Sequence, residues 1–578
     1  MPYQAGAAQC IPFFQESFMT TFIDLWTAFS SVTVPAGETH VRSSGYGVAG
    51  VGAADYVPDA DQTSTTATPW RRKSANGRWF RISGDRITPK QVGALYDGSD
   101  AADALAACFA AAQAIGAGVD LLDGVLTSSK PVRLPLGRSI AFGALTLDFR
   151  GVTSATAFPE GGCVVADAGP AAALPNLGAA ASLGASTITL ASSAAGLLGP
   201  GDLIAIYNPA NYSWIKQWNG GAIPAGQFAA ANRANYRAGE MVEVKAVAGA
   251  VVTLDGPLHA AYAPADVQLW KMPNRQLVLN GGALTILAPE TVDHGLRLRR
   301  LRDSDISGVV VRGGRLAAME LAESFNVVGI GLTCVHRVAS GAGEDYGLSL
   351  VASQRISLQG DFSGHRHGVT VGTSADLAGN LCLPWRDVAI NLAGGTMTAR
   401  ADVNAFGGHG CGQGLKLGGV AYGGLMLGGG DIAVDCSIEP IDTMANWPLL
   451  SATELWNWNL DLNVAVNGAG IDPTPNGMGL IDFGSNGAAP DAGCVRGGLM
   501  SLRGTVRAPS TIRPIKMYAN GLPAGAKLGV TLGLAITAAA PDSVIQTGRN
   551  SGDVDLKFST LGFRDLAGGV GFIPSLPA

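Results

Sequence analysis

Four short stretches decide the fold: GLRL at Gly295–Leu298, GLSL at Gly347–Leu350, GVTV at Gly368–Val371 and GLKL at Gly414–Leu417. Each is a glycine followed by two apolar residues that straddle a third, the period-two pattern of a strand with a buried face. A second register runs between them: Asp305-Ile306, Asn326-Val327, Arg355-Ile356, Asp387-Val388 and Asp431-Ile432. Steps within each register are about 21 to 29 residues, or near multiples of that. One supersecondary unit per step is the signature of a solenoid. Leucine-rich repeats share the period, but their Leu/Asn consensus is absent, and propeller blades need about twice the spacing. The reading is all-β: a parallel β-helix, with coils stacked roughly 4.8 Å apart and equivalent residues in ladders.

Composition agrees. Apolar residues make up 47% and charged residues 15%, which excludes a disordered chain. The 80 glycines show no three-residue period, so collagen is excluded too. Net charge is −6 with scattered basic residues, so no nucleic-acid face is expected. No apolar run approaches 18 residues, so no membrane insertion is expected. The first Lys or Arg is Arg42 and no apolar run follows a charged start, so no signal peptide is expected. Eight separated cysteines read as small buried apolar residues, with no disulfide and no metal site. No cofactor motif is present.

Residues 1–85 form an N-terminal module. It opens with an aromatic, weakly helical stretch (Phe13, Phe14, Phe18, Phe22, Leu25, Trp26, Phe29) and continues as a β-module from Val32 to Ile82. Residues 86–169 hold a helix and the first coils. Asp100 is the expected N-cap, Leu105, Cys108, Phe109 and Ala112 an apolar stripe, and Gly116 the stop. Residues 170–275 read as an inserted small β-domain, alternating at Thr187–Leu190, Leu203–Tyr207, Met241–Val247 and Val251–Leu254. Its loop NYSWIKQWNGG carries Tyr212, Trp214 and Trp218. Residues 276–510 are the main solenoid. From 511 to 578 the repeat is lost, and a C-terminal β cap or trimer contact is expected.

The run VGALYDG (Val92–Gly98), followed by an Asp- and Ala-rich helix, resembles the N-terminal cap of the pectate-lyase-like β-helix superfamily, although the usual Asp-Asp pair is missing. Arg42–Val57 resembles the module that precedes this cap in many phage tail proteins. GPGDLIAIY and AGEMVEV…VVTLDGPL resemble a small β-domain inserted in some tailspike-like β-helices. The resemblance to phage tailspike depolymerases implies a right-handed single-stranded parallel β-helix with a capping helix. It also implies a homotrimer and a place on the virion tail, outside the cell.

The position before each first-register glycine holds His294, Tyr346, His367 and Gln413. Leading into it are Glu344 and Asp345 (GEDYG), then Asp361, His365 and Arg366 (DFSGHRHG). The next loop holds Asp402, Asn404 and His409 (ADVNAFGGHG). Titratable residues concentrate here in a chain otherwise poor in charge. Tailspike-like proteins carry a similar Tyr-Gly strand, Gly-Arg-His-Gly turn and Asp…His-Gly turn, so Tyr346, Arg366, His367, Asp402 and His409 resemble shared positions.

Glycoside hydrolysis needs two carboxyl groups about 5 to 10 Å apart. Carboxylates on neighbouring or next-but-one coils satisfy that spacing. The expectation is Glu344 as acid and Asp402 or Asp361 as base, with Asp345 as a further candidate and His367 and His409 tuning them. Arg366, Tyr346, His365, His294, Trp214 and Trp218 would bind substrate, a bacterial surface polysaccharide. Two alternatives stay open. A lyase would use Tyr346, His367 or His409 as base and Arg366 or Lys416 to neutralise a uronate. A receptor-binding spike would adhere without cutting. Asp and Asn in turns also bond their own backbone, and a His beside Gly can merely close a turn. Trp456 and Trp458, two apart, would share a face as a sugar platform or a packing surface.

Overall fold

The computed structural model describes residues 20–63, 66–153, 158–212, 237–336, 345–372, 385–396, 404–408, 412–439, 448–467, 481–483, 495–507, 515–517, 527–536, 545–547, 555–560 and 564–565. The chain divides into two compact units, residues 1–120 and 121–578.

In the first unit a five-stranded sheet follows the order Thr20–Leu25, His40–Gly45, Ala54–Pro58, Trp79–Ile82, Arg71–Lys73. Of the aromatic stretch expected as weakly helical, Phe13, Phe14 and Phe18 lie outside the described residues, and the remainder is a strand, Thr20–Leu25, then a 3-10 turn, Trp26–Ser31. Its aromatics are the reason: Trp26 stacks on Tyr56 with ring centroids 3.5 Å apart, and Phe29 meets the edge of Phe80. The helix runs Ala102–Ile115, and Gly116 ends it in a left-handed conformation at φ 79. Its N-cap is Ala101, one residue after the expected Asp100, whose Oδ1 still accepts the Ala102 N–H at 3.1 Å. Leu105, Cys108, Phe109 and Ala112 are its buried stripe.

The second unit is a parallel β-helix. Strands of successive coils pair in parallel, and one internal ladder reads Leu296, Met319, Leu348, Val369, Phe406, Leu425, all fully buried. Two columns fix the register. The first is Gly162, His294, Ala317, Tyr346, His367, Asn404, Gly424. The second is Arg302, Phe325, Gln354, Arg386, Gln413, Gly430, Trp456. The residue after each of the first five of these, together with Asp431 and Asn457, has positive φ: Asp303, Asn326, Arg355, Asp387, Gly414, Asp431 and Asn457 lie between 48 and 81. This left-handed step turns every coil at the same place, which explains the Asp/Asn/Gly bias of the second register.

Two assignments shift accordingly. Gln413 and Gly414 belong to the second column, and Asn404 takes Gln413's expected place in the first. Asp303, not Asp305, is the residue in line with Asn326. The parallel ladder also continues past residue 511, through Lys527–Ile536 to Asp555–Thr560, where a change of architecture was expected.

The insertion is a six-stranded antiparallel sheet in the order Ala172–Ala173, Gln268–Lys271, Leu203–Tyr212, Arg237–Ala248, Val251–Leu254, Thr187–Thr189. One face, with Ile204 and Ile206, closes a core of its own. The other, with Leu203, Ala205, Met241 and Met272, packs on Ala322, Phe325, Val351 and Ala352 of the solenoid. The described cysteines Cys108, Cys163, Cys334 and Cys436 are free and buried.

Candidate functional site

The first column lies where a turn delivers the chain into the strands His294–Arg299, Ala317–Ala322, Tyr346–Val351, His367–Gly372 and Asn404–Gly408. The rings of Tyr346 and His367, one coil apart, stack with centroids 5.3 Å apart and planes 18° from parallel. The Arg366 guanidinium lies 6.0 Å from the centre of the Tyr346 ring, and its Nη1 donates to the phenol oxygen at 3.4 Å. The Arg366 N–H donates to the Asp345 carbonyl at 3.1 Å, and the Asn404 N–H to the Arg366 carbonyl at 2.8 Å. Two glycines make this possible. A Cβ on Gly407 would meet the His367 ring at 2.9 Å, and one on Gly364 would collide with the His367 and Asp345 carbonyls.

Behind this corner sits a buried pair. His336 Nε2 faces the Arg315 carbonyl at 3.1 Å and the Asp345 carboxylate at 3.9 Å, and its ring meets His365 edge-on. Both side chains are 0% exposed. Burial holds the His336 imidazole below its ordinary value despite Asp345, so the ring is neutral near pH 7. Asp345 is thus sealed inside, where it braces the turn and cannot reach a polymer.

Asp361 stands on the neighbouring face, in strand Gln354–Ser363, paired with Thr333 one coil below. Burial raises its carboxyl above the usual range, with Arg312 opposing. Its Oδ1 is enclosed and has no hydrogen-bond partner among the described residues. A carboxyl held towards its protonated form is what a general acid requires.

Glu320 was not singled out in the sequence. It is 5% exposed and takes the Arg297 Nε hydrogen bond at 2.7 Å, with His294 Nε2 at 3.4 Å. Burial alone would raise its carboxyl, but His294, Arg297 and Arg299 outweigh that and hold it below the ordinary range. Arg297 and Glu320 are 23 residues apart and face each other across adjacent coils. The signal was present: AAMEL is a degenerate copy of the Gly-apolar repeat, with Ala318 in the glycine position.

Glu344, Asp402, His409, Trp214 and Trp218 lie outside the described residues. Of the described candidates, the structure brings Tyr346, Arg366 and His367 together, with Asp345 and His365 behind them. His294 shares their column, two coils from Tyr346, but engages Glu320, and Asp361 stands on the adjoining face. Trp458 is not a platform: it is buried, its ring filling the space a Cβ on Gly498 would need. Asn457, left-handed, separates it from half-buried Trp456.

No family model and no curated protein matches the chain. Solved structures do. The tailspike protein of Pseudomonas phage LKA1 is 22% identical at a TM-score of 0.61, over 82% of this chain and 79% of that one. The tailspike of Pseudomonas phage phi297 is 19% identical at 0.60, over 83% and 79%. A tailspike of Acinetobacter baumannii bacteriophage AP22, solved with A. baumannii capsular saccharide, is 16% identical at 0.50, over 80% and 79%. The likeness is one of fold: this chain shares the β-helix of phage tailspikes.

Proposed function

We propose that this chain is a tailspike-type depolymerase that binds a bacterial surface polysaccharide along the first column and hydrolyses its glycosidic bonds. The observation that supports it is the corner on this column: Tyr346 and the pair Arg366–His367, one coil apart, form a stacked, hydrogen-bonded unit in which Tyr346 and His367 are buried and Arg366 is partly exposed. A repeating scaffold of this kind suits an extended polymer, because each coil can add one more binding position. Asp361, with its raised carboxyl, takes the acid role. Glu344 or Asp402 then supplies the second carboxylate, and Tyr346, His367 and Arg366 orient the sugar. The same reading places the protein on a virion tail as a homotrimer. The tailspike solved with capsular saccharide supports the ligand class.

A lyase is the second reading, favoured by one contact: the Arg366 guanidinium at the Tyr346 hydroxyl, a cation beside a candidate base. Incubation with purified capsule and lipopolysaccharide preparations separates the readings. New reducing ends without an unsaturated-uronate absorbance indicate hydrolysis, the absorbance indicates elimination, and binding without fragments defeats both. Asp361→Asn should lower kcat at least about 100-fold, the usual share of a positioned acid, with an unchanged circular dichroism spectrum. Full turnover in that variant removes Asp361 from the acid role.

A further inference from the structure

We infer that His336 is a positioning residue for the Tyr346–Arg366–His367 corner, acting through Asp345, and that its protonation in mild acid makes the corner release glycan; this rests on the proposed polysaccharide reading. His336 follows the strand Phe325–Val335, its backbone N–H donating to the Ser363 carbonyl at 2.9 Å. Its Nε2 donates to the Arg315 carbonyl at 3.1 Å, which fixes the proton there. Nδ1 is then a buried acceptor with no hydrogen-bond partner among the described residues. Asp345 joins this ring to the corner. Its carboxylate lies 3.9 Å from Nε2, too far for a hydrogen bond, and its backbone is left-handed at φ 59. Its carbonyl takes the Arg366 N–H at 3.1 Å, and the next residue is Tyr346, stacked on His367. Gly364 leaves no slack, since a Cβ there would collide with the Asp345 and His367 carbonyls. A shift at Asp345 therefore reaches Tyr346 and the partly exposed Arg366 together.

Protonation supplies such a shift. The groups that face His336 are the Asp345 carboxylate, the His365 ring, edge-on with centroids 5.7 Å apart, and more weakly Glu290. Arg315 offers its carbonyl while its guanidinium pairs with Asp293. A second proton puts a charged N–H at Nδ1, where no acceptor stands, in a space closed to water. The new charge draws Asp345 Oδ1 in from 3.9 Å towards a charge-assisted contact of about 2.8 Å, about 1 Å of travel in a packed turn. Burial outweighs Asp345 and keeps the ring neutral near pH 7, so the corner is assembled there. As pH falls through the lowered value, the ring charges, Asp345 moves and the corner comes apart.

The test measures binding of the full-length protein to a panel of immobilised bacterial capsular polysaccharides, from about pH 7.5 down to about pH 4.5, still above the ordinary carboxylate range. Every sample carries Asp361→Asn, which removes the raised carboxyl of the adjoining face, and stays below its melting transition. For the best-bound glycan, affinity should fall at least about 5-fold across this range, within the limit of about 10-fold per pH unit for one linked proton. His336→Gln keeps an N–H for the Arg315 carbonyl but does not titrate. Asp345→Asn removes the carboxylate that the charged ring draws. The loss should shrink below about 2-fold in both, while His365→Gln keeps it in full. Affinity that is flat with pH overturns the inference and leaves the depolymerase reading intact. So does a loss that persists in His336→Gln and Asp345→Asn, or one that vanishes only in His365→Gln. Binding of no capsule at any pH overturns both.

Discussion

At the residue scale the corner depends on buried charge, and two groups make its stability depend on pH in the same direction. Glu320 is held below its unfolded value, so its contribution is present above about pH 4.3 and disappears as pH falls through the lower folded value. His336 is held neutral by burial, so it begins to weigh against the fold once pH drops below the unfolded histidine value of about 6.5. Melting temperature should therefore fall in two stages on acidification. His336→Phe should remove the upper stage and Glu320→Gln the lower; a curve unchanged by His336→Phe would show that this ring is not what titrates. Glu320→Gln should also cost about 3 to 5 kcal/mol at pH 7, because Arg297 and His294 lose a buried partner. Chemical denaturation at neutral pH measures it. These residues were only partly legible in advance. His294, Tyr346, Arg366 and His367 stood beside glycines that announced a turn. His336 carries no such mark and Glu320 only a degenerate one, an alanine in the glycine position, because what sets both apart is burial among partners from other coils.

At the element scale the sequence announced strands and period, and in the second register it erred once by a step of two. Asp305 was aligned with Asn326, where the fold aligns Asp303. A slip of two residues keeps every apolar side chain on its own face, so the alternation cannot detect it. Backbone conformation decides instead: the turn requires a left-handed residue, and Asp303, Asn326 and Gly414 can all supply one. Side-chain bonds reinforce the step, for Asn326 Nδ2 donates to Asp303 Oδ1 at 2.6 Å and Asn457 to Asp431 at 2.5 Å. One step earlier, buried serines tie coil to coil. The Leu301 N–H donates to Ser324 Oγ at 3.1 Å, and the Ser324 N–H to Ser353 Oγ at 3.1 Å. Asn326→Ala should thus destabilise by about 1–2 kcal/mol and Asn326→Gly by less, since glycine restores the conformation but not the bond. Ser324→Ala should cost about 1–3 kcal/mol by stranding the Leu301 amide. Urea midpoints compare the three; equal losses for Ala and Gly at 326 would mean the left-handed conformation carries none of the effect.

At the scale of the second unit the issue is why an insertion with its own core is bound to the solenoid at all. Its strand Arg237–Ala248 supplies the answer, laying three successive contacts along the second column. Glu243 pairs with Arg302, the Met241 N–H donates to Gln354 Oε1 at 2.8 Å, and Glu240 takes Arg386 Nη1 at 3.1 Å. Glu240 also accepts from the His259 amide at 2.9 Å and the Tyr262 hydroxyl at 2.8 Å, so one carboxylate joins the insertion's interior to the solenoid. Burial works against its charge, but His259 and Arg386 hold it ionised below the ordinary glutamate range. An arginine ladder facing acids on a crossing strand acts as a clasp, strongest where the pair is buried, since losing one partner strands the other. The apolar patch beneath, from Met241 and Met272 to Phe325 and Val351, holds without charge. Replacing both acids (Glu240→Gln with Glu243→Gln) should therefore loosen the insertion without releasing it. Amide exchange in the strand Arg237–Ala248 should quicken at least about 10-fold, a loss of about 1.4 kcal/mol in local opening, while exchange in Tyr346–Val351 stays unchanged. Parallel acceleration in both strands would mean the clasp supports the solenoid itself, and no change in either would assign the docking to the apolar patch alone.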